Sequence, residues 1–354
     1  MLAGIGLHCS ARGNPADAFR HAVVVTAPAT GGTAVVIPFF QRKPGLLANA
    51  IRSALSQVDA GPITIVVCDD ASPIDADTEL AGLAPEQRDR VILVRQANAG
   101  AGAARNAALD AVPPGTDWIA FLDSDDRWEP AHIARALAAL RAGYDLCFGD
   151  ALREPQTRTH FQAADLDSRC HEPIGTLPGL FRFMGDFLTL NIAMSPVSIS
   201  TVVMRASALG DQRFPCMAVE DLMFWFEAAR RPIRVAFDAT LQVYYGRGDI
   251  TLVDHWMSPQ ALKICLLYHR VFMHVRREFS LTPVQHAILE LRMEHNRQDF
   301  GRVVLGLLRH GRMPAWPVVA KFLRLDPWIA RSLLGVAATE VARRLPVRRG
   351  MTAG

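Results

Sequence analysis

Trp118-Ile119-Ala120-Phe121-Leu122 followed by Asp123-Ser124-Asp125-Asp126 is the stretch on which the reading of this chain turns. Five apolar residues in a row, with β-branched and aromatic members, predict a strand buried on both faces. The run then stops in three carboxylates within four positions. Like charges repel and an unpaired carboxylate is almost never buried, so packing gives no reason to cluster them at a strand end. Open α/β sheets bind ligands in the crevice beyond the carboxyl ends of their strands. At such an edge Asp123 and Asp125 have the spacing to hold a hard cation such as Mn²⁺ or Mg²⁺ through oxygen. The alternative is a solvated acidic turn capping a helix that begins near Pro130. A lone D-x-D does not separate the two.

Context separates them. Upstream, Thr33-Ala34-Val35-Val36-Ile37 predicts a strand halted by Pro38, and Pro44 opens a helix with Leu47, Ala50, Ile51, Ala54 and Leu55 on one face. Ile63-Thr64-Ile65-Val66-Val67 predicts a second strand, ending in Cys68-Asp69-Asp70-Ala71-Ser72. Val91-Ile92-Leu93-Val94 predicts a third, running into Asn98-Ala99-Gly100-Ala101-Gly102 and an Ala-rich helix that carries Arg105. Downstream come a helix to about Arg141, a strand over 145–148, an unpatterned excursion over 151–195 and a strand over 199–204. Glu220-Asp221 then opens a helix with its carboxylates at the positive end of the dipole. Short strands near 233–237 and 240–245 close the pattern. The alternation predicts an α/β fold, a mostly parallel central sheet wrapped by helices. One sheet edge gathers the carboxylates, the small residues and an arginine.

A chain of 354 residues can bury one large core and carry appendages. Residues 1–32 predict a loosely ordered extension, 33–250 the α/β domain, and 251–354 a basic, mainly helical region broken at Pro283, Pro314, Pro317, Pro327 and Pro346. The net charge is only +3, and no nucleic-acid partner is expected. From Arg302 onward, however, ten Lys/Arg face only Asp326 and Glu340. Val303, Val304, Leu307 and Leu308 form an apolar stripe flanked by Arg302, Arg309 and Arg312, with Trp316 and Trp328 beyond it. That pattern predicts contact of 300–354 with an anionic membrane surface; an ordinary helical subdomain is the competing reading. The six cysteines are scattered without C-x-x-C spacing, as in a reduced cytoplasmic protein without a zinc site. Arg12, Asp17 and Arg20 break any signal-peptide layout. The uncharged stretch 187–204 holds Asn191 and Pro196 and does not predict a membrane span. The expected location is the cytoplasm, against the inner face of the membrane.

Val35-Val36-Ile37-Pro38-Phe39-Phe40, Val66-Val67-Cys68-Asp69-Asp70-Ala71-Ser72, Asn98-x-Gly100 with Ala104-Arg105-Asn106, Phe121-Leu122-Asp123-Ser124-Asp125-Asp126 and Glu220-Asp221 together resemble family 2 inverting glycosyltransferases of the GT-A fold. The motifs occur in that family's order over 33–250. The resemblance implies a nucleotide-sugar donor, a UDP-sugar first, and a glycan or lipid-linked acceptor in surface polysaccharide or glycoconjugate synthesis. It implies that Pro38 to Phe40 flank the base with Phe40 stacking on it, and that Asp70 bonds the base. Gly100 and Arg105 would lie near the nucleotide and Asp123 near the ribose or donor sugar. Asp125 would hold the metal bridging the diphosphate, and Asp221 would be the general base. Asp69 and Glu220 are secondary candidates.

The chain departs from that family in three places. Ala71 stands where glycine is common, a mild change if the turn does not need positive φ. No histidine follows Tyr244-Tyr245, leaving Arg247 as the diphosphate partner and His255 out of register. The Gln-x-x-Arg-Trp of processive members is missing, which favours single-sugar transfer.

Other classes compete. A phosphatase of the haloacid dehalogenase type also places D-x-D after a strand, but nearer the domain start and with Thr or Val where this chain has Asp126. Gly100-x-Gly102 hints at a dinucleotide oxidoreductase, yet Arg105 replaces the third glycine. A catalytically degenerate GT-A scaffold remains, against which stand all the acidic positions.

Overall fold

A computed structural model of the chain describes residues 31–217, 219–246 and 258–342. The extension expected at 1–32 lies outside these apart from Gly31 and Gly32, as do Arg247 and His255. The chain divides into two compact units, Met1–Ile250 and Thr251–Gly354.

In the first unit, β-branched runs become strands because their side chains fill both faces of a pleated layer. β1 (Thr33–Phe39), β2 (Ile63–Asp69), β3 (Val91–Arg95) and β4 (Trp118–Phe121) pair in parallel in the order β3-β2-β1-β4. Alternate residues supply separate cores. Val35, Ile37, Ile65, Val67 and Ala120 pack with Leu47, Ile51, Ile133 and Leu137 of the Leu46–Leu55 and His132–Arg141 helices. Ala34, Val36, Val66, Ile119 and Phe121 pack with Ala104 and Ala108 of the Ala101–Asp110 helix, and with Phe224 and Trp225 of the Glu220–Ala228 helix. This is a sheet between two helical layers.

The rest of the sheet follows the sequence reading less closely. β5 (Arg127–Trp128), β6 (Leu146–Arg153), β7 (Glu172–Pro173), β8 (Leu180–Arg182), β9 (Val202–Arg205) and β10 (Val235–Tyr245) extend it to ten strands, in the order β3-β2-β1-β4-β9-β6-β10-β8-β7 with β5 on β10. β9 lies antiparallel between β4 and β6, so the sheet is mixed, with its parallel block at β1–β4. The two short strands expected at 233–245 are one, β10, whose register against β6 shifts between Asp238 and Leu241 and between Leu241 and Val243.

Pro38 does not halt β1. Val36 accepts a bond from the Leu122 amide on the β4 side, and Phe39 accepts one from the Asp70 amide on the β2 side. Successive residues therefore face alternate neighbours, and the nitrogen of Pro38 faces β4 beyond the last β1–β4 pair, Val36 with Phe121. No ladder donor is lost there.

The second unit contains the helices Pro259–Glu278, Pro283–Arg309, Trp316–Leu325 and Ile329–Ala342. Thr282 opens the longest with a capping box to Gln285, and Pro283 takes the first helical position. Val303, Val304 and Leu307 are buried against Leu262, Cys265 and Phe322. Three residues of the stripe expected on a membrane are thus the core of a helical bundle, because an apolar face of period 3.6 serves either purpose. No helix among the described residues is long and apolar enough to cross a membrane.

Candidate active site

The parallel strands all end at one edge, and the loops leaving them are tied to each other. After β2, Asp69 accepts the Ser72 amide at 2.8 Å, and Ser72 in turn accepts from the Gln41 amide at 3.0 Å, joining the loop after β1. Burial pushes the Asp69 carboxyl above its usual range, against the Ser72 amide that lowers it. Ala71, between them, has φ of 55°. The turn does require the left-handed region, so alanine for glycine is a strained substitution and not a mild one.

Asp70 is buried and faces the loop after β3. It accepts from Gln96 Nε2 at 2.7 Å, from the Ala99 amide at 2.8 Å and from the Gly100 amide at 2.9 Å. Its carboxylate braces this loop and keeps acceptor capacity beyond these three bonds. Gly100 stands before the Ala101–Asp110 helix with φ of 91°, and a Cβ there would meet nothing within 4 Å. The glycine supplies backbone conformation and leaves open space in front of a helix N-terminus. Phe40 is half-buried, with the Arg42 guanidinium 5.2 Å from its ring centroid.

Arg105 rises from that helix into the centre of the site, 4 % exposed. It donates to Asp123 Oδ1 and to Glu220 Oε1, each at 2.6 Å, and stands over the ring of Phe214 at 5.3 Å. Burial alone would lower its pKa; Asp123 and Glu220 more than offset this and raise it. The arginine thus links the end of β4 to the start of the Glu220–Ala228 helix.

Beyond β4 the four residues diverge. Asp123 is one-third exposed and its amide is held by Ser200 Oγ at 3.0 Å. Ser124 is buried and accepts from Gln41 Nε2 at 3.0 Å. Asp125 is half-buried. Asp126 points inward, accepting from Ser200 Oγ at 2.6 Å and from the Gly246 amide at 2.9 Å. Burial raises the Asp126 pKa well above the carboxylate range, and the charges of Asp123 and Asp125 push it further. Gly246 closes over this turn so tightly that a Cβ would fall 1.7 Å from the Asp125 carbonyl oxygen. Only glycine fits.

Across from Asp123, Val219 holds φ of 63° at the start of the Glu220–Ala228 helix, a left-handed conformation rare for a β-branched residue. A Cβ on Gly102 would approach Glu220 Cγ to 2.9 Å, so the second glycine of the Gly100-x-Gly102 pair serves helix packing. Asp221 accepts the Leu222 amide at 2.8 Å. Burial first, then Glu220, raise its pKa to about 6, against Arg105. Trp225, one turn on, is fully buried core.

Among the described residues no three His, Cys, Asp or Glu side chains gather to hold a metal alone. The donor chemistry nevertheless fits one: Asp123, Asp125 and Asp126 crowd oxygen donors and negative charge at one strand end, an excess that a hard divalent cation neutralises. The structure thus brings together Pro38, Phe40, Asp69, Asp70, Gly100, Arg105, Asp123, Asp125, Glu220 and Asp221 around the edge of the parallel block. Sequence reasoning missed Asp126, Ser200 and Gly246. The glycine after Tyr244-Tyr245 was the available signal.

Comparison with known proteins agrees with this geometry. The Glycosyl transferase family 2 model matches residues 34–208. The succinoglycan biosynthesis protein ExoW of Rhizobium meliloti is 30% identical over 325 residues, covering 87% of this chain and 98% of that protein. Among solved structures, S. aureus TarS 1-349 in complex with UDP-GlcNAc aligns with a TM-score of 0.55 at 16% identity, covering 88% of this chain and 91% of that one. The mannosyltransferase PcManGT of Pyrobaculum calidifontis in complex with GDP-Man and Mn²⁺ aligns at 0.54 and 14% identity, covering 88% of each chain. The shared fold, the strand-end carboxylates and the near full-length relative lead to one assignment: the chain belongs to glycosyl transferase family 2 and is a glycosyltransferase.

Proposed function

We propose that the chain moves a single sugar from a nucleoside-diphosphate sugar, a UDP-sugar first, to a hydroxyl of a glycan or lipid-linked acceptor in polysaccharide synthesis. The observation that carries this is the Asp123–Arg105–Glu220 bridge, which sets the strand-end carboxylates opposite Asp221. The base of the donor lies by Pro38 and Phe40 and is bonded by Asp70, whose carboxylate also holds the loop before Gly100. Asp123 faces the ribose or sugar. Asp125, with Asp123, would hold Mn²⁺ or Mg²⁺, which supplies positive charge to the departing diphosphate. The diphosphate contact expected of Arg247 falls on a residue outside those described.

In an inverting displacement the acceptor oxygen forms a bond to the anomeric carbon as the bond from that carbon to the diphosphate oxygen breaks. The acceptor proton passes to the Asp221 carboxylate. A pKa of about 6 keeps Asp221 ionised at neutral pH and makes it a better base than an ordinary aspartate. Donor chemistry belongs to 33–250 in this reading. Cys68, Cys147 and Cys265 are buried thiols outside any disulfide, in keeping with a cytoplasmic setting. No membrane contact is assigned to Val303, Val304 and Leu307, which pack inside the helical unit.

The test is slow hydrolysis of UDP-sugars in Mn²⁺ without acceptor. Release of UDP that stops in EDTA is the expected result. No release from any nucleotide sugar, or undiminished release in EDTA, overturns the donor assignment or the metal assignment respectively.

A further inference from the structure

The helical unit has a cleft whose walls carry none of the residues given roles in the transfer reaction. It has a volume of about 680 Å³ and is walled by Arg276, Glu290, Glu294, Arg302, Trp328 and Arg331, all from that unit. This is the size range of ligand sites. Its chemistry alternates. Arg276 pairs with Glu290 at 3.0 Å and Arg297 with Glu294 at 3.0 Å, so guanidinium donors and carboxylate acceptors stand side by side around the walls. An anion site would collect donors and exclude carboxylates, and a surface built for anionic lipid would do the same. A polyhydroxylated ligand needs both, because every hydroxyl is donor and acceptor at once.

The aromatic member is Trp328, 65% exposed beside the opening. Leaving a large indole in water carries a cost unless something covers it. The sequence pattern had assigned it to lipid headgroups together with a stripe that proves to be core. Its position is built, not incidental. Asp326 accepts the Trp328 amide at 3.0 Å, and the same carboxylate is gripped by His269 at 2.8 Å and Arg297 at 2.7 Å, all three buried. Glu294 is likewise fixed, by Arg297 at 3.0 Å and the Ser332 hydroxyl at 3.1 Å. An indole on an anchored backbone next to bonded acceptors and donors is the chemistry that holds a sugar ring, its C–H edges on the indole and its hydroxyls on the charged groups.

We infer that the helical unit binds a saccharide in this cleft, a glycan subsite built from residues other than those of the donor site, with Trp328 as stacking platform and Glu290, Glu294, Arg302 and Arg331 as hydroxyl partners. The inference adds to the glycosyltransferase reading a second place at which the enzyme meets glycan.

The test applies the full-length protein to an array of neutral and uronic-acid-containing bacterial oligosaccharides, alongside Trp328→Ala and Asp125→Ala. The wild type is expected to retain at least one oligosaccharide, and Trp328→Ala to weaken that binding at least tenfold with unchanged thermal melting. Asp125→Ala is expected to retain it even though sugar transfer is gone, so failure of the donor assignment and failure of the cleft are read separately. An exposed indole can be replaced without disturbing the core, and Arg331→Ser, also at the surface, gives a second reading of the same wall. No retained oligosaccharide, or equal binding by wild type and Trp328→Ala, overturns the inference. Binding of the wild type to anionic phospholipid vesicles in place of any oligosaccharide overturns it as well.

Discussion

Two aspartates shielded from solvent to different degrees, one in each unit, have opposite electrostatics. Asp326 in the helical unit lies among His269, Arg297 and the Trp328 amide. Burial would raise its pKa, but the Arg297 guanidinium more than compensates and holds it below the ordinary range. Asp221 in the α/β unit is partly buried with a carboxylate neighbour in Glu220, and these raise its pKa to about 6 against the pull of Arg105. Asp126 is also raised well above the carboxylate range, by burial and by the charges of Asp123 and Asp125. A buried charge that exists for structure is neutralised on the spot. Carboxylates left short of positive charge at a strand end mark a place where a cation or a proton is to arrive.

The largest effect comes from removing the unneutralised group. Asp221→Asn keeps the shape and the bond from Leu222 but has no basicity. Transfer is expected to fall by roughly 10²–10⁴-fold, the usual contribution of a positioned general base, with nucleotide-sugar binding retained in calorimetry. A wild-type rate with normal binding moves the base to another residue, Glu220 being next in line.

Next in size is the neutralised group. Arg297→Met leaves Asp326 buried against His269 without its guanidinium. Stripping one partner from a buried ion pair costs about 3–5 kcal/mol, so chemical denaturation should show a destabilised helical unit. A loss under about 1 kcal/mol, the range of a surface pair, removes the contrast drawn between the two aspartates.

The contrast also explains what the sequence could show. β1 to β4 were legible because strands buried on both faces are continuous apolar runs, and the carboxylates at their ends stood out against that background. The antiparallel placement of β9 was not, since pairing partners distant in the chain leave no local trace. Asp126 looked like its neighbours Asp123 and Asp125. What buries it is Ser200, 74 residues away, and the close approach of Gly246. Arg105 was placed near the nucleotide from its motif, but its clasp on Glu220 spans 115 residues and appears only in the folded chain. The 303–308 stripe shows the converse: periodicity reveals that a face is buried and says nothing about what buries it.

Acidification separates the two units. The folded pKa of Asp221 is raised, so the native state binds the extra proton, and this group adds stability as pH falls through about 6. His269 behaves oppositely. Burial lowers its pKa to about 4, so its contribution is complete above the unfolded value near 6.5 and is lost as pH falls toward 4. Transfer should decline about tenfold per pH unit below 6 as Asp221 loses its charge. Melting curves between pH 4.5 and 7.5 should show Asp221→Asn losing the acid-side gain, and His269→Gln losing part of the acid-side penalty. Parallel pH profiles in the wild type and both variants would break the opposition.

The smallest effect concerns strain, which is as unevenly distributed as charge. The non-glycine residues with positive φ among those described are Asp59, Ala71, Asp165, Ser195 and Val219, all in the α/β unit, and Ala71 and Val219 border the site. A left-handed alanine costs about 1–2 kcal/mol, while glycine at the same place costs about 0.5–1 kcal/mol in unfolded-chain entropy. Ala71→Gly is therefore expected to stabilise the α/β unit by about 0.5–1 kcal/mol, raising its melting temperature by about 1–3 °C. Neither Asp69 nor Asp70 loses a bond, because both accept from other residues. The turn does gain freedom, and it anchors the Gln41 loop beside the base pocket through Ser72. KM for the nucleotide sugar should then rise slightly while kcat holds, which separates relief of strain from damage to the site. A drop in melting temperature would show that alanine is at ease in this turn, and that the strain bordering the site lies at Val219.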